Sequence, residues 1–534
     1  MVMSRPVHLV PVVHGLGGSA ASGVAVGLAF ASGAWGWVAW VALVPLLLVI
    51  RQASTGGALA CGFLSGLTAA WATFSWLAEV PAFGLPQFIV LGAYVALYCA
   101  VWAVAVKVLA RRGCPLVLTA PALWVALDFV RSHAGFLALP IGTLGQSQQA
   151  NTDVLQVAAL GGEGAVTFLV VMANVALAQW LQQRAWRTAL AAGGVVGIAH
   201  AGGAILLATL PEAAPITVAA VQPAIGIEER QSAAGREAVW LRLVNLSREA
   251  ATSRPVLIAW PETAVGDPRH DAALAARLAA LAHELRIPLI VGSSEAEKFM
   301  ATGPEGTMAV RAGDRYNAAY LVEAGAPLGA PYRKRRLMPF GEYTPLKDSV
   351  AWPHWLVPAI VEGQAGDAAR GFRVAAGSSA GPVDAGLRVG VLICWENLFA
   401  DLSRDAVRDG VGVLVQLTND AWFGHTRAAT QHNAASVLRA VENGVPLVLA
   451  SNAGPSLVID AQGRIVTRTA RPFDVGVAVA AVPLGRGATI FNRFGDWFAA
   501  VCALVALSTL LPHVLRADDR GRPFGIPASS KESS

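Results

Sequence analysis

The chain has 534 residues, 55% of them hydrophobic and 14% charged, with a mean hydropathy of +0.52. A disordered chain would be polar and charge-rich, and a soluble enzyme carries charge at about a quarter of its positions, so neither class describes it. The net charge is +5, but no basic run is interleaved with aromatics, so nucleic acid is not an expected partner.

Charge is spread unevenly along the chain. Residues 1–210 hold 8 Lys+Arg and 4 Asp+Glu, against 32 and 31 in residues 211–534. The first part reads as a membrane domain and most of the second as soluble. Seven apolar segments can cross a hydrocarbon core as helices: 12–31, 33–50, 56–79, 87–110, 115–131, 161–182 and 189–209. Pro115, Pro121 and Asp128 interrupt the fifth. An eighth lies near 496–515. Further spans follow the first, so a cleaved signal peptide is not expected.

Basic residues set the orientation. With the N-terminus in the cytoplasm, Arg5, Arg51, Lys107, Arg111, Arg112, Arg184 and Arg187 all fall on the cytoplasmic side. The opposite loop at 80–86 has no Lys or Arg. The expected organisation is a membrane domain over 1–210, an extracytoplasmic catalytic domain over 211–490, a C-terminal transmembrane helix over 491–516 and a cytoplasmic tail over 517–534. That tail carries Arg520, Arg522 and Lys531. Gly15, Gly17, Gly18, Gly23 and Gly27 suit close helix packing. Asp128, Glu163 and Gln179 sit at membrane depth and read equally as functional or interfacial.

From 215 the periodicity changes. Strands are expected at Ile216–Val221, Val256–Trp260, Pro288–Val291, Ala318–Val322, Leu387–Cys394, Gly412–Leu417, Leu447–Ser451, Leu457–Ile459 and Val475–Val482. Helices are expected near 236–252, 270–285, 401–409 and 428–443. The alternation implies a layered α/β domain.

Four motifs in this part can carry chemistry. Trp260-Pro261-Glu262-Thr263 puts a carboxylate at a strand end, where α/β sheets bind ligands. Residues Tyr332 to Glu342 form a basic loop, which also suits anionic headgroups. Cys394 closes an apolar strand beside Trp395 and Glu396, and is the only cysteine in the polar part, a candidate nucleophile. Its thiol needs a cation or base nearby, which Lys334 and Glu262 can supply. The fourth motif, Leu417 to Gly424, is turn-rich and aromatic and contains Asn419. Two patterns fail. Gly377-Ser378-Ser379-Ala380-Gly381 precedes a strand instead of following one, so it is no nucleophile elbow. His283-Glu284 lacks the second histidine of a zinc helix, the ten histidines form no ligand cluster, and no CxxC pair occurs. No metal or cofactor is expected.

WPET at 260–263, KRRLMPFGEYTP at 334–345, ICWE at 393–396 and TNDAWFG at 418–424 together resemble the carbon–nitrogen hydrolase (nitrilase) superfamily, and within it the apolipoprotein N-acyltransferases. The likeness covers nearly the whole chain. It implies an αββα sandwich beside a multi-span helical membrane domain, and a Glu262–Lys334–Cys394 triad. It further implies acyl transfer through a thioester, from a phospholipid such as phosphatidylethanolamine to the N-terminal amine of a diacylglyceryl apolipoprotein. Glu342 and Glu396 would orient Lys334 and the loops, with Trp395 and Asn419 in support. The setting would be the inner membrane of a bacterium, with the catalytic domain on the periplasmic side. Trp395, Ala224, Arg230 and Leu449 depart from the residues usual in the family. Residues Val350–Ile360, with Trp352 and Trp355, are apolar for a soluble loop and are expected to dip into the interface as a lid. The alternative activity is a membrane-tethered amidase or nitrilase that hydrolyses a C–N bond.

Overall fold

The computed structural model describes residues 9–518 except 81–82, 210–213, 227–228, 230–231, 303–307, 358–359, 361, 370, 376–385, 409, 486 and 488. Arg5, Arg230, Arg520, Arg522, Lys531 and the stretch from Gly377 to Gly381 thus lie outside the described residues.

The first part is helical: α1 (Leu9–Leu28), α2 (Val44–Gln52), α3 (Thr55–Phe74), α4 (Leu85–Arg111), α5 (Leu116–Ser132), α6 (Thr152–Leu155), α7 (Ala158–Gln183) and α8 (Trp186–Thr209). The second apolar segment is split, because a 3₁₀ turn over Gly33–Trp40 precedes α2. Among the described residues, five segments are long and apolar enough to cross a membrane: Gly33–Gln52, Thr55–Glu79, Leu85–Arg111, Ala158–Gln183 and Trp186–Thr209. Gly15–Leu28 and Trp497–Leu511 are shorter apolar helices. α5 has only 17 residues and carries Pro121 inside it. Eight apolar segments in the sequence thus become helices of unequal reach.

One kink matters for the site. α7 breaks at Gly161 and Gly162, the latter at φ 70°. A Cβ on Gly162 would lie 2.5 Å from the Phe491 ring, so only glycine fits both the turn and the contact.

The second part holds α9 (Ala233–Ala251), α10 (Ala272–Leu285), α11 (Ala400–Arg408), α12 (Ala428–Asn443) and α13 (Ile490–Phe494), with α14 (Trp497–Asp518) closing the chain. Its strands are β1 (Pro215–Gln222), β2 (Ile258–Ala259), β3 (Leu289–Thr302), β4 (Met308–Val322), β5 (Tyr332–Arg333), β6 (Phe372–Val374), β7 (Leu387–Ile393), β8 (Val413–Thr418), β9 (Leu447–Ser451), β10 (Leu457–Ile459), β11 (Ile465–Arg468) and β12 (Gly476–Pro483). They form two six-stranded sheets, ordered β12-β1-β2-β3-β4-β5 and β11-β10-β9-β8-β7-β6. β1–β2–β3 and β7–β8–β9 run parallel. Strand alternation then assigns the faces. Val413, Val415 and Leu417 join Val389, Val391, Val218 and Ile290 in a core between the sheets. On the outer faces, β1–β3 pack on Val239 and Leu243 of α9 and Leu278 and Leu281 of α10. Leu414, Leu447 and Leu449 of the second sheet pack on Val437, Leu438 and Val441 of α12, and that cluster continues into Val166, Leu169 and Met172 of α7. The result is an αββα sandwich, and its α12 layer is also the seat on the membrane bundle.

Polar contacts reinforce that seat. Arg439 of α12 reaches Glu163 of α7 at 3.2 Å and Glu442 at 2.8 Å, while the Glu163 N–H donates to Glu442 at 2.8 Å. Trp76 donates to Gln431 at 2.9 Å, and Gln431 donates to the Thr73 carbonyl at 3.0 Å. α14 lies against α5 through Ala499 and Cys502, and Phe498 meets Phe168 of α7 edge to face at 5.6 Å.

Candidate active site

The site collects at the ends of β2, β4, β5 and β7. Glu262 follows β2 by three residues. A Cβ on Gly292 of β3 would sit 2.1 Å from the Pro261 carbonyl oxygen, so the glycine lets β3 press against the turn that carries Glu262. Lys334 follows β5 directly and is fixed to β4, because its N–H donates to the Asn317 carbonyl at 2.7 Å. Cys394 follows β7 and opens the 3₁₀ turn Cys394–Leu398 at φ 50°, a left-handed conformation costly for a residue with a side chain.

The three predicted triad residues come together. Lys334 is 1% exposed, and its ammonium lies 2.8 Å from Glu342 and 4.0 Å from Glu262. Asn317 donates to Glu262 Oε1 at 2.5 Å. Both Glu262 and Lys334 act electrostatically on the half-buried Cys394 thiol. Burial pushes that thiol well above an ordinary cysteine, the Glu262 charge adds to the rise, and Lys334 opposes it. Burial likewise raises the Glu262 carboxyl, against the pull of Lys334. Burial works against the Lys334 ammonium, but Glu342, Cys394 and Glu262 together hold its pKa above that of a free lysine. The site therefore sets a thiol and a carboxyl of raised basicity beside an ammonium held in its charged form. That is the arrangement for a nucleophile whose proton leaves as it attacks, with a cation waiting for the new oxyanion.

The supporting residues divide by task. Glu342 accepts from Lys334 and, at 2.7 Å, from the Met338 N–H. Glu396 is fully buried and accepts four bonds: from the Arg335 N–H at 2.6 Å, the Arg336 N–H at 3.1 Å, the Tyr332 hydroxyl at 2.7 Å and the Ile393 N–H at 2.8 Å. It ties the lysine loop to the strand that bears the nucleophile. Trp395 packs edge to face on Phe399 at 5.7 Å. Asn419 stands one shell back, where its side-chain oxygen accepts from Asn452 at 3.0 Å. Asn452 also brackets Ile225 and, through its own carbonyl, accepts the N–H of Ala224, which sits at φ 51°. Leu449 points into the α12 layer, away from the site.

Sequence reasoning did not single out His432. Nε2 of its ring lies 3.2 Å from the Cys394 carbonyl oxygen and Nδ1 lies 3.1 Å from Asp420 Oδ1. Both neighbours are acceptors, which favours the imidazolium, the form that donates from both nitrogens. Burial opposes that charge, but Asp420 and the Cys394 carbonyl hold the pKa above an ordinary histidine. Gln416 donates to the same carbonyl at 2.8 Å. Gln416 and His432 thus both hold the strained peptide of Cys394.

The expected lid is an irregular loop. Trp352 packs on Phe340 at 5.3 Å and donates to the Pro345 carbonyl at 2.7 Å. Trp355 is 63% exposed, and the carbonyls of Trp355 and Leu356 accept from Gln87 of α4 at 3.0 and 3.1 Å.

A sandwich with a cysteine, lysine and glutamate at its strand ends, seated on a helical membrane bundle, is that of a membrane-bound member of the carbon–nitrogen hydrolase superfamily. The carbon-nitrogen hydrolase family matches residues 217–490, and the apolipoprotein N-acyltransferase N-terminal domain family matches residues 22–176. The apolipoprotein N-acyltransferase of Geobacter metallireducens is 34% identical over 513 residues, covering 90% of this chain and 92% of its own. That of Gloeobacter violaceus is 31% identical over 531 residues, covering 96% of each. Among solved structures, an amidase of the nitrilase superfamily from Nesterenkonia AN1 is 17% identical with a TM-score of 0.36, over 58% of this chain and 99% of its own. The chain belongs to the apolipoprotein N-acyltransferase family and is a membrane-embedded acyltransferase.

Proposed function

We propose that this enzyme moves an acyl chain from a phospholipid, phosphatidylethanolamine in the first instance, to the N-terminal amine of a diacylglyceryl-cysteine apolipoprotein. Glu262 takes the thiol proton as the Cys394 sulfur attacks the sn-1 ester carbonyl. Lys334 and the Trp395 N–H face the resulting oxyanion. Collapse breaks the ester C–O bond, the lysophospholipid oxygen takes the proton from Glu262, and a thioester remains. The acceptor amine then attacks the thioester, Glu262 takes its proton, and the departing thiolate takes that proton back.

Positive-inside bias supports a catalytic domain on the outer face of the bacterial inner membrane, where donor and acceptor both reside. The exposed Trp355 supports a loop that dips into the interface and admits acyl chains. The observation that carries the reading is the buried Lys334 ammonium held between Glu262 and Glu342 beside the Cys394 thiol. The test is intact-mass analysis of the full chain incubated with phosphatidylethanolamine. An acyl adduct that is lost in Cys394→Ser, and that is discharged by a diacylglyceryl-cysteine peptide, supports the proposal. An adduct that persists in Cys394→Ser refutes it.

A further inference from the structure

A cavity of about 550 Å³ opens beside the triad, between the loop that follows α5 and the lysine loop. Its charged walls are Arg335, Arg336, Lys347 and Glu362, and its apolar floor includes Trp395 and Phe399. Trp395 is the residue after Cys394 and Arg335 the residue after Lys334, so two lining residues of the cavity are chain neighbours of triad members. Its opposite wall, at Ser132 and His133, is the end of a helix from the membrane bundle. An ester held at Cys394 with its acyl chain in the bilayer has its polar end here.

The walls suit a phosphodiester. Three cationic side chains face one carboxylate. The two arginines are presented by a fixed backbone, since Glu396 holds both of their N–H groups. Arg336 is further fixed by stacking 4.2 Å over the Phe399 ring. Their present partners are weak competitors. Asp405 lies 3.5 Å from Arg335 and Asp401 3.1 Å from Arg336, and those acids are 41% and 40% exposed. A guanidinium fork matches phosphate oxygens better than it matches a solvated carboxylate. Across the cavity, Glu362 accepts from the Thr344 N–H at 3.2 Å and lies 3.6 Å from Lys347, which places a carboxylate where a headgroup ammonium would sit.

We propose that this cavity binds the headgroup of the acyl donor, with Arg335 and Arg336 on the phosphodiester and Glu362 on a cationic headgroup amine. The cavity thereby restricts the donor to phospholipids. This rests on the acyl-transfer reading above.

The test compares two donors in the same micelles with the full chain: phosphatidylethanolamine, and a diacylglycerol with the same acyl chains and no phosphate. The readout is kcat/KM for acyl-enzyme formation. Arg335→Gln and Arg336→Gln each lower the phospholipid-to-diacylglycerol ratio by about 10- to 100-fold, mostly through KM, and the lysine variants recover part of it. Lys347→Gln on the exposed rim lowers the ratio less and guards against a folding defect. Soluble glycerophosphoethanolamine competes with the phospholipid. Equal loss on both donors, or inhibition by inorganic phosphate as strong as by glycerophosphoethanolamine, overturns the headgroup site. Absence of any acyl-enzyme in the unsubstituted protein overturns the acyl-transfer reading instead, and the site with it.

Discussion

Replacing Glu396 with Gln keeps the shape of a fully buried side chain and removes half of its accepting capacity. The four donors around it are arranged in two pairs, Arg335 and Arg336 N–H on one oxygen, Tyr332 O–H and Ile393 N–H on the other. A glutamine amide can serve one pair as acceptor, and its NH2 must face the other. The cheaper orientation puts the NH2 toward Tyr332, whose hydroxyl can turn to accept, and leaves the Ile393 N–H without a partner. One orphaned buried N–H costs about 1–3 kcal/mol, and loss of charge assistance on the remaining bonds adds about 1–2 kcal/mol. The total, about 2–5 kcal/mol, falls on the residue before the nucleophile and on the loop that holds Lys334. If half of it reaches the transition state, acyl-enzyme formation slows by about 5- to 70-fold. The assay pairs single-turnover acylation of Cys394 with thermal unfolding in the same detergent. A variant that acylates at the unsubstituted rate, with unchanged melting, would show that the lysine loop does not depend on Glu396.

The remaining predictions address other parts of the site. The acid limb of kcat/KM reports Glu262, which must be ionised to act as base. Because its pKa is raised, activity falls with decreasing pH while ordinary carboxylates are still ionised, and a limb at the usual carboxylate position refutes the assignment. His432→Gln slows acylation and removes a pH-dependent share of stability. The folded-state pKa of His432 is raised, so that share is full below the pKa of an unfolded histidine and is lost as pH climbs through the folded value. Unfolding curves of variant and parent that stay equally separated from pH 5 to 9 would argue against the imidazolium. Gly292→Ala forces the Glu262 turn away from β3 at a cost of about 1–3 kcal/mol, read as a drop in melting temperature together with slower acylation. Trp355→Ser weakens vesicle contact with little change in melting, whereas Trp352→Ser also loosens the loop from Phe340. Equal effects of the two on vesicle contact count against an interfacial Trp355.

Much of this was legible in the sequence, for identifiable reasons. β9 and β10 are short, apolar and β-branched, and the structure begins and ends them where that pattern does. β3 and β4 run far past their expected ends, to Thr302 and back from Met308. Their outer halves carry Glu295, Lys298, Arg311 and Arg315, charged positions that read as loop because they interrupt an apolar alternation in the sequence. β5 and β6 have two and three residues, too few to show a period, and β11 is largely exposed. Glu262 and Cys394 were legible because each follows an apolar strand, whereas Lys334 sits in a basic loop after the two-residue β5 and was picked out only through the family resemblance. His432 was not, because its acceptors lie 12 and 38 positions away and no local spacing links them. Glu163 read equally as functional or interfacial, since Arg439 and Glu442, which define it, lie 276 and 279 positions further on.

The placement of α14 has a consequence for how the molecule is made. Its partners, α5 and α7, leave the ribosome before any of the sandwich exists, because synthesis runs from the N-terminus. Until residue 497 emerges, Ala122, Val125 and Phe168 lack their contacts with Ala499, Cys502 and Phe498. α14 can reach them only after the more than 300 residues between Gln183 and Trp497 have been synthesised. If those residues work outside the cell membrane, they must also have crossed it. The membrane bundle is therefore completed only after the sandwich has been made. A truncation before α14 should leave a folded sandwich tethered to an unsealed bundle.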